Sequence, residues 1–277
     1  MTLNGKRISV AFPDTVLEEH DSLREKTVKL GQVARACSIF GVDSVEVFRD
    51  PRGGGEAPLI RRVLEYLETP QYLRRRLFPL DESLKYAGLL PPLRIPSHKP
   101  KVASASLHPG EFREGAVLDD GVTVDVGLEV PLALSQRVAA GKRITVKITS
   151  AIPLQGVPAN RSHTGEYWGY YVEERGLEEL LSDPRFGLKI ATSRLGDPLE
   201  ACLAELGGRL RASASTMLLF GSPSRGLFDM SRDLRKRVGF VVNLYPEQRV
   251  VTVRTEEAIA SALYLLEVLS VSQNTKV

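Results

Sequence analysis

Two stretches that alternate strand and helix, separated by a long stretch with no helix pattern, constrain this chain more than anything else in its sequence. Arg7–Phe12 (RISVAF) is an apolar, β-branched run stopped by Pro13, the pattern of a buried strand. Glu18–Phe40 is rich in helix formers and ends at Gly41. Asp43–Phe48 reads as a second strand, and Ala57–Leu67 and Tyr72–Leu77 read as helices. Strand and helix in alternation predict a parallel sheet covered by helices. The pattern then breaks. Leu90-Pro91-Pro92-Leu93 and Ile95-Pro96 cannot continue a helix. Phe112–Leu118, Val122–Val130 and Lys142–Thr149 are short β-type runs, separated by turn residues at Asp120-Gly121 and Gly141. Short strands without a helix predict a small barrel or sandwich. Alternation returns with strands at Tyr167–Val172, Leu188–Thr192, Thr216–Phe220 and Phe240–Leu244, and helices at Leu177–Ser182, Pro198–Leu206 and Glu256–Leu269. The economical reading is one α/β domain, residues 1–90 and 166–277, interrupted by a β insertion at residues 91–165.

The net charge of +3 is a weak hint of an acidic partner, and its distribution says more. Gln71–Lys101 holds Arg74, Arg75, Arg76, Lys85, Arg94, Lys99 and Lys101 against two acidic residues, and Arg232, Arg235, Lys236 and Arg237 form a second cluster. Such clusters suit phosphate binding; a solvated helix face is the competing reading. No run of eighteen apolar residues occurs, and Met1–Ile8 lacks the apolar core of a secretory leader, so a cytoplasmic protein is expected. Cys37 and Cys202 make no disulfide framework and are expected in the core. His20, His98, His108 and His163 lack metal-ligand spacing, so no metal site is expected. There is no phosphate-binding P-loop and no nucleophile elbow, and Gly53–Gly55 is not followed by the Lys-Ser/Thr that a P-loop needs.

Three elements remain. Gly31 and Arg35 are four apart and share a helix face, with Gly41 beyond them. Leu218–Gly226 (LLFGSPSRG) runs an apolar strand into a loop with two glycines, which lets the backbone approach a ligand closely. Val241–Pro246 and Val250–Ile259 form a strand, a loop and an acidic helix start, where Thr255 would cap the helix and Glu256 and Glu257 suit its dipole. Loops at the carboxyl edge of an open sheet, without an acid–base pair, suit a flat, hydrogen-bonding ligand.

The order of these elements resembles the SPOUT methyltransferases. Gly31, Arg35 and Gly41 match the spacing of the first motif of the SpoU/TrmH-like branch, Gly221 and Gly226 the glycines of its second, and Val251–Ile259 the place of its third. Gly31–Cys37, Tyr72–Arg74, Phe112–Gly115, Tyr167–Tyr170 and Arg254–Ile259 resemble an archaeal and eukaryotic subfamily with an OB-like insertion. Lys29, Pro223 and Thr252 depart from the branch's asparagine, glutamate and asparagine. These departures argue against ribose 2′-O methylation and for methylation of a base.

The resemblance implies a fold and a set of roles. The fold would be an α/β, trefoil-knotted parallel sheet with helices on both faces, interrupted by a small OB-like β-barrel. The cofactor would be S-adenosyl-L-methionine, bound by Thr192, Ser193, Arg194, Gly221, Gly226, Asn243, Leu244, Tyr245, Gln248, Val253 and Thr255. The chain would act as a homodimer, with Arg35 catalytic and reaching the partner's cofactor. The acceptor would be a uridine ring nitrogen in ribosomal RNA. Arg74, Arg75, Arg113, Lys142, Arg143 and Lys147 would bind that RNA, with Phe112 available for stacking. Two other readings stay open: a non-catalytic RNA-binding or ribosome-assembly factor, and a methyltransferase acting on protein.

Overall fold

The structure, a computed structural model, describes residues 5–271. The first half of the polar opening Met1–Ile8, residues 1–4, lies outside the described residues. The chain forms two compact units, one made of residues 5–65, 83–91 and 170–271 and the other of 66–82 and 92–169.

The first unit is a six-stranded parallel sheet. Its strands are β1 (Arg7–Pro13), β2 (Ser44–Phe48), β8 (Tyr171–Arg175), β9 (Leu188–Pro198), β10 (Ser215–Leu219) and β11 (Phe240–Asn243), in the order β11-β9-β10-β1-β2-β8. Adjacent residues along the central strands, such as Val10 with Ala11 and Leu218 with Leu219, are all buried. Since neighbours on a strand face opposite ways, the sheet is covered on both faces. One face packs Ala11, Ala191, Met217, Leu219 and Val241 against α4 (Leu177–Ser182), α6 (Leu227–Met230) and α7 (Leu234–Arg237). Helix α8 (Thr255–Val271) packs against both α1 (Leu23–Ile39) and α5 (Leu199–Ala212).

Helix α1 begins later than the sequence suggests. Ser22 is its N-cap: the Ser22 hydroxyl accepts from Glu25 N at 3.2 Å and donates to the Glu25 carboxylate at 2.7 Å. Residues 14–20 form turns before it. At α8 the expected cap is shifted by one residue. Arg254 N donates to the Glu257 carboxylate at 2.9 Å, and Thr255 is already the first, buried, helical residue. Both cysteines are buried. Among the described residues no helix is long and apolar enough to cross a membrane.

The second unit is a closed five-stranded barrel of β3 (Phe112–Val117), β4 (Thr123–Asp125), β5 (Leu132–Leu134), β7 (Leu154–Ala159) and β6 (Arg143–Ala151), in that order around the barrel. All its pairings are antiparallel except β5 with β7. Val117, Val124, Leu132, Val146 and Ile148 fill its interior. Strand β7 escapes a reading from sequence because Gly156 and Pro158 dilute its β pattern. Its glycine has a packing cause: a Cβ there would lie 2.7 Å from the Val146 side chain.

The insertion expected from sequence, residues 91–165, differs from the compact unit around the barrel. That unit also takes in Tyr66–Glu82, and Ser83–Pro91 belongs with the sheet. Side chains explain this grouping. Tyr72, on α3 (Gln71–Leu77), donates its hydroxyl to Glu114 O at 2.7 Å. Glu68, the last residue of α2 (Ala57–Glu68), pairs with Arg143 at 2.5 Å and with Arg161 at 3.3 Å. The strand expected at Tyr167–Val172 starts only at Tyr171. Trp168 and Tyr170 look like strand residues because they are aromatic, but they lie outside any strand and are buried. Trp168 Nε1 donates to the Glu114 carboxylate at 2.6 Å.

Candidate active site

Strands β9, β10 and β11 run parallel, so their carboxyl ends open onto the same edge of the sheet, where open α/β folds bind ligands. The end of β9 is irregular. Ala191 pairs with Val241 and Asp197 with Val242, so residues 192–196 leave the ladder as an excursion. That excursion, the 220–226 loop after β10, the 243–248 turn after β11 and the 251–255 lead into α8 enclose a cavity of about 330 Å³. This is within the size range of small-molecule sites, about 300–1,000 Å³.

Hydrogen bonds fix the walls. Thr192 Oγ1 donates to Leu219 O at 3.1 Å. Asn243 Nδ2 donates to Arg194 O at 3.1 Å, and Asn243 Oδ1 accepts from Tyr245 N at 3.0 Å, so this one amide ties the excursion to the β11 turn. Gln248 Nε2 donates to the carbonyls of Val250 and Val251 at 2.9 and 3.0 Å. Two glycines permit the approach of these segments. A Cβ at Gly221 would lie 2.7 Å from Arg225 O, and one at Gly196 would lie 2.7 Å from Val241 O.

The 220–226 loop is held from outside the cavity by segments that follow β1 and β2. Arg225 is ion-paired with the buried Asp50, whose backbone N donates to Asp14 Oδ1 at 2.9 Å. Ser224 N donates to the Glu18 carboxylate at 2.9 Å. Burial opposes the charge of Glu18, but hydrogen bonds from Ser224 and Ser222 outweigh it and hold its pKa below the ordinary value. Asp14 is pushed up, chiefly by burial.

All eleven residues read as cofactor-binding line this one cavity. The sequence reading missed Gly196, at the excursion, and Asp50 and Glu18, which brace the loop. Only the strand-end glycine was visible as a pattern; the braces depend on the fold. Arg35 lies elsewhere. It is half-buried on α1 and lines a second, mostly apolar cavity of about 580 Å³ with Gly31, Leu90 and Glu257. Gly31 is small because a Cβ would meet the Leu90 side chain at 2.6 Å.

The residues read as RNA-binding divide. Arg75, Lys142 and Lys147 are exposed. Arg113 and Arg143 are corrected. Arg113 is 1% exposed and donates to Val126 O at 2.8 Å and Pro100 O at 2.5 Å. The Arg143 side chain is 18% exposed and bridges Glu68 and Glu114 at 2.5 and 2.6 Å. These guanidiniums satisfy buried acceptors inside the unit, and a phosphate would have to displace them. Arg74 is also turned inward, donating to the carbonyls of Leu67 and Thr69.

A profile of the family described as "Putative RNA methyltransferase" matches residues 7–266, nearly the whole chain. The chain belongs to this family of RNA methyltransferases. Relatives agree along the same length. An uncharacterized protein of Halobacterium salinarum is 35% identical, covering 92% of this chain and 96% of its own. A 28S rRNA (uridine-N(3))-methyltransferase of Homo sapiens is 31% identical, covering 94% of this chain and 77% of its own. Among solved structures, the SpoU methyltransferase AviRb of Streptomyces viridochromogenes, in complex with AdoMet, aligns over 96% of this chain and 59% of its own. That alignment has 10% identity and a TM-score of 0.40. As a member of this family, the chain is an S-adenosylmethionine-dependent enzyme. Its strand-end cavity, with apolar Leu195, Leu244 and Val253 among amide and hydroxyl groups, has the mixed lining that an adenosine with an amino-acid tail needs.

Proposed function

We propose that the enzyme methylates N3 of a uridine in ribosomal RNA. The observation that carries this reading is the convergence of all eleven candidate residues on one cavity at the carboxyl edge of β9, β10 and β11. The acceptor is suggested by the human, mouse and fly relatives, each named a 28S rRNA (uridine-N(3))-methyltransferase and each matching 94–95% of this chain.

Bound in this cavity, S-adenosylmethionine supplies an electrophilic methyl group. The chain's own task is alignment. The loops at Thr192–Leu195, Gly221–Gly226 and Asn243–Gln248 would hold the cofactor against the acceptor, and such positioning is worth roughly 7–11 kcal/mol. Transfer to N3 would leave the cofactor as the neutral thioether and would require the N3 proton to pass to solvent water. Arg35 cannot take that proton, because its guanidinium keeps its own. It stabilises the charge that gathers on the uracil oxygens.

In this reading two chains pair as an isologous dimer, and Arg35 serves the cavity of the partner. The second cavity supports it: Arg35 sits there among apolar groups beside Ile39, which is 62% exposed. The same reading includes a trefoil threading of the last strands and α8. The barrel order β3-β4-β5-β7-β6, with β5 parallel to β7, supports an OB-like insertion that carries RNA.

Arg35→Ala tests the assignment. Turnover with labelled cofactor on ribosomal RNA should fall by about a hundredfold or more, as for other lost charge-stabilising donors. Calorimetric affinity for S-adenosylmethionine should stay within twofold of wild type. Unchanged turnover removes Arg35 from the chemistry.

A further inference from the structure

The inward turn of Arg113 and Arg143 raises the question of which cations in the barrel unit meet a ligand. A cavity of about 580 Å³ in the same unit answers it. It is lined by Gln71 and Tyr72 of α3 and by the segment Pro92–Lys101, which contributes Arg94, His98, Lys99 and Lys101. Among the described residues no carboxylate lines it.

The segment is a built strap. Pro92, Pro96 and Pro100 stiffen it. Leu93, Ile95 and Ser97 are buried, while Arg94 and Pro96 between them are exposed, so the strap alternates anchor and display. His98 N donates to Ile95 O at 2.8 Å, and the His98 ring bonds Glu68 O at 2.8 Å. Arg113 holds Pro100 O from below, and Lys99 pairs with Glu111 at 3.2 Å. Arg94 stands in the left-handed region with φ 54°, a conformation that costs about 1 kcal/mol or more for a non-glycine residue. The two anchors beside it, Leu93 and Ile95, hold it there. A strained arginine kept exposed by buried neighbours, in a cavity that Lys101 also lines and whose Lys99 is shared with Glu111, is arranged for an anion.

We propose that this strap and α3 form a binding pocket for the phosphate backbone of single-stranded RNA, gripped by Arg94 and Lys101 with Lys99 behind them. The choice of RNA as the anion rests on the methyltransferase reading above; the anion pocket itself does not. Because the prolines and anchors hold the cations in place before binding, little ordering cost is added on association. Its position also removes the weight from the exposed barrel lysines Lys142 and Lys147.

The test is fluorescence anisotropy with a labelled 12-nucleotide single-stranded oligouridine, on the full chain at several salt concentrations. The double variant Arg94→Glu/Lys101→Glu should bind at least tenfold more weakly. Its log–log salt slope should shrink by about 1.4, near 0.7 for each lost phosphate contact. The neutral pair Arg94→Gln/Lys101→Gln should lose about threefold, which guards against misfolding of the reversed variant. Lys142→Glu/Lys147→Glu should stay within threefold of wild type. Strap variants within twofold of wild type overturn the proposal, as does an equal loss in the barrel-lysine variant. Calorimetry with S-adenosylmethionine separates the two readings: strap-dependent RNA binding without cofactor binding would sink the enzymatic assignment and leave the pocket standing.

Discussion

The sheet unit and the barrel unit use their polar residues in opposite ways. In the sheet unit the polar side chains of the cavity mostly tie one loop to another, and the ligand space is what remains between them, as with Asn243 and Gln248. In the barrel unit the strongest charges are turned inward. Glu114 is 1% exposed, yet it accepts from Thr145, Trp168, Arg143 and Arg161. Burial works against its charge, but the two arginines outweigh burial and hold its pKa below the usual range. A charged residue therefore says little about a surface until the carboxylates that fold next to it are known.

The largest effect should come from breaking that inward network. Glu114→Ala leaves the Arg143 and Arg161 guanidiniums without one of their two carboxylates and should cost about 3–5 kcal/mol. Urea unfolding followed by fluorescence of Trp168, the only tryptophan of the chain, reads this unit directly. A loss below about 1 kcal/mol would mean that the network is ornamental and that the contrast between the units fails.

Next comes the loop geometry of the sheet unit. Gly221→Ala places a Cβ against Arg225 O, so the 220–226 loop must shift. S-adenosylmethionine should bind at least tenfold more weakly by calorimetry, a change of about 1.4 kcal/mol, while Trp168-monitored unfolding stays unchanged. Equal affinity would show that the cavity does not depend on this close approach.

The smallest effect sharpens the comparison through pH. In the sheet unit Asp43 is pushed up to about 6, chiefly by burial. Between about pH 6 and its ordinary value of 3.8 the folded chain holds a proton that the unfolded chain does not, so acidification stabilises this unit there. In the barrel unit His98 is lowered to about 4, chiefly by burial. Between its ordinary 6.5 and about 4 the unfolded chain takes the proton, so acidification destabilises this unit. Each effect should be about 1 kcal/mol after allowance for partial solvation. Asp43→Asn should reduce the first slope and His98→Gln the second, read by circular dichroism for the whole chain and by Trp168 for the barrel unit.

The same contrast explains how much could be read from sequence. The sheet unit was legible because buried parallel strands are long apolar runs, and because glycine at a strand end marks a close approach. Its cavity residues follow each strand directly in the chain, so order along the sequence carries over into space. Asp50 and Glu18 were hidden because they brace a loop more than 170 residues away. In the barrel unit β5 is three residues long and β7 carries a glycine and a proline, so neither stands out. Arg113 and Arg143 looked available because their partners, Val126 O, Glu114 and the Glu68 carboxylate at the end of α2, are brought to them by folding and not by spacing.

Strands β1 and β2 emerge first from a ribosome, but their sheet neighbours β8 and β10 lie beyond residue 170. The barrel has all its strands by Ala159 and can close while β1 and β2, which pair with each other, still wait for their outer neighbours. Domains tend to form as units during synthesis, and pairings distant in sequence form slowly. During translation, then, the insertion becomes the first finished part of this enzyme, and the sheet that surrounds it in sequence is assembled last.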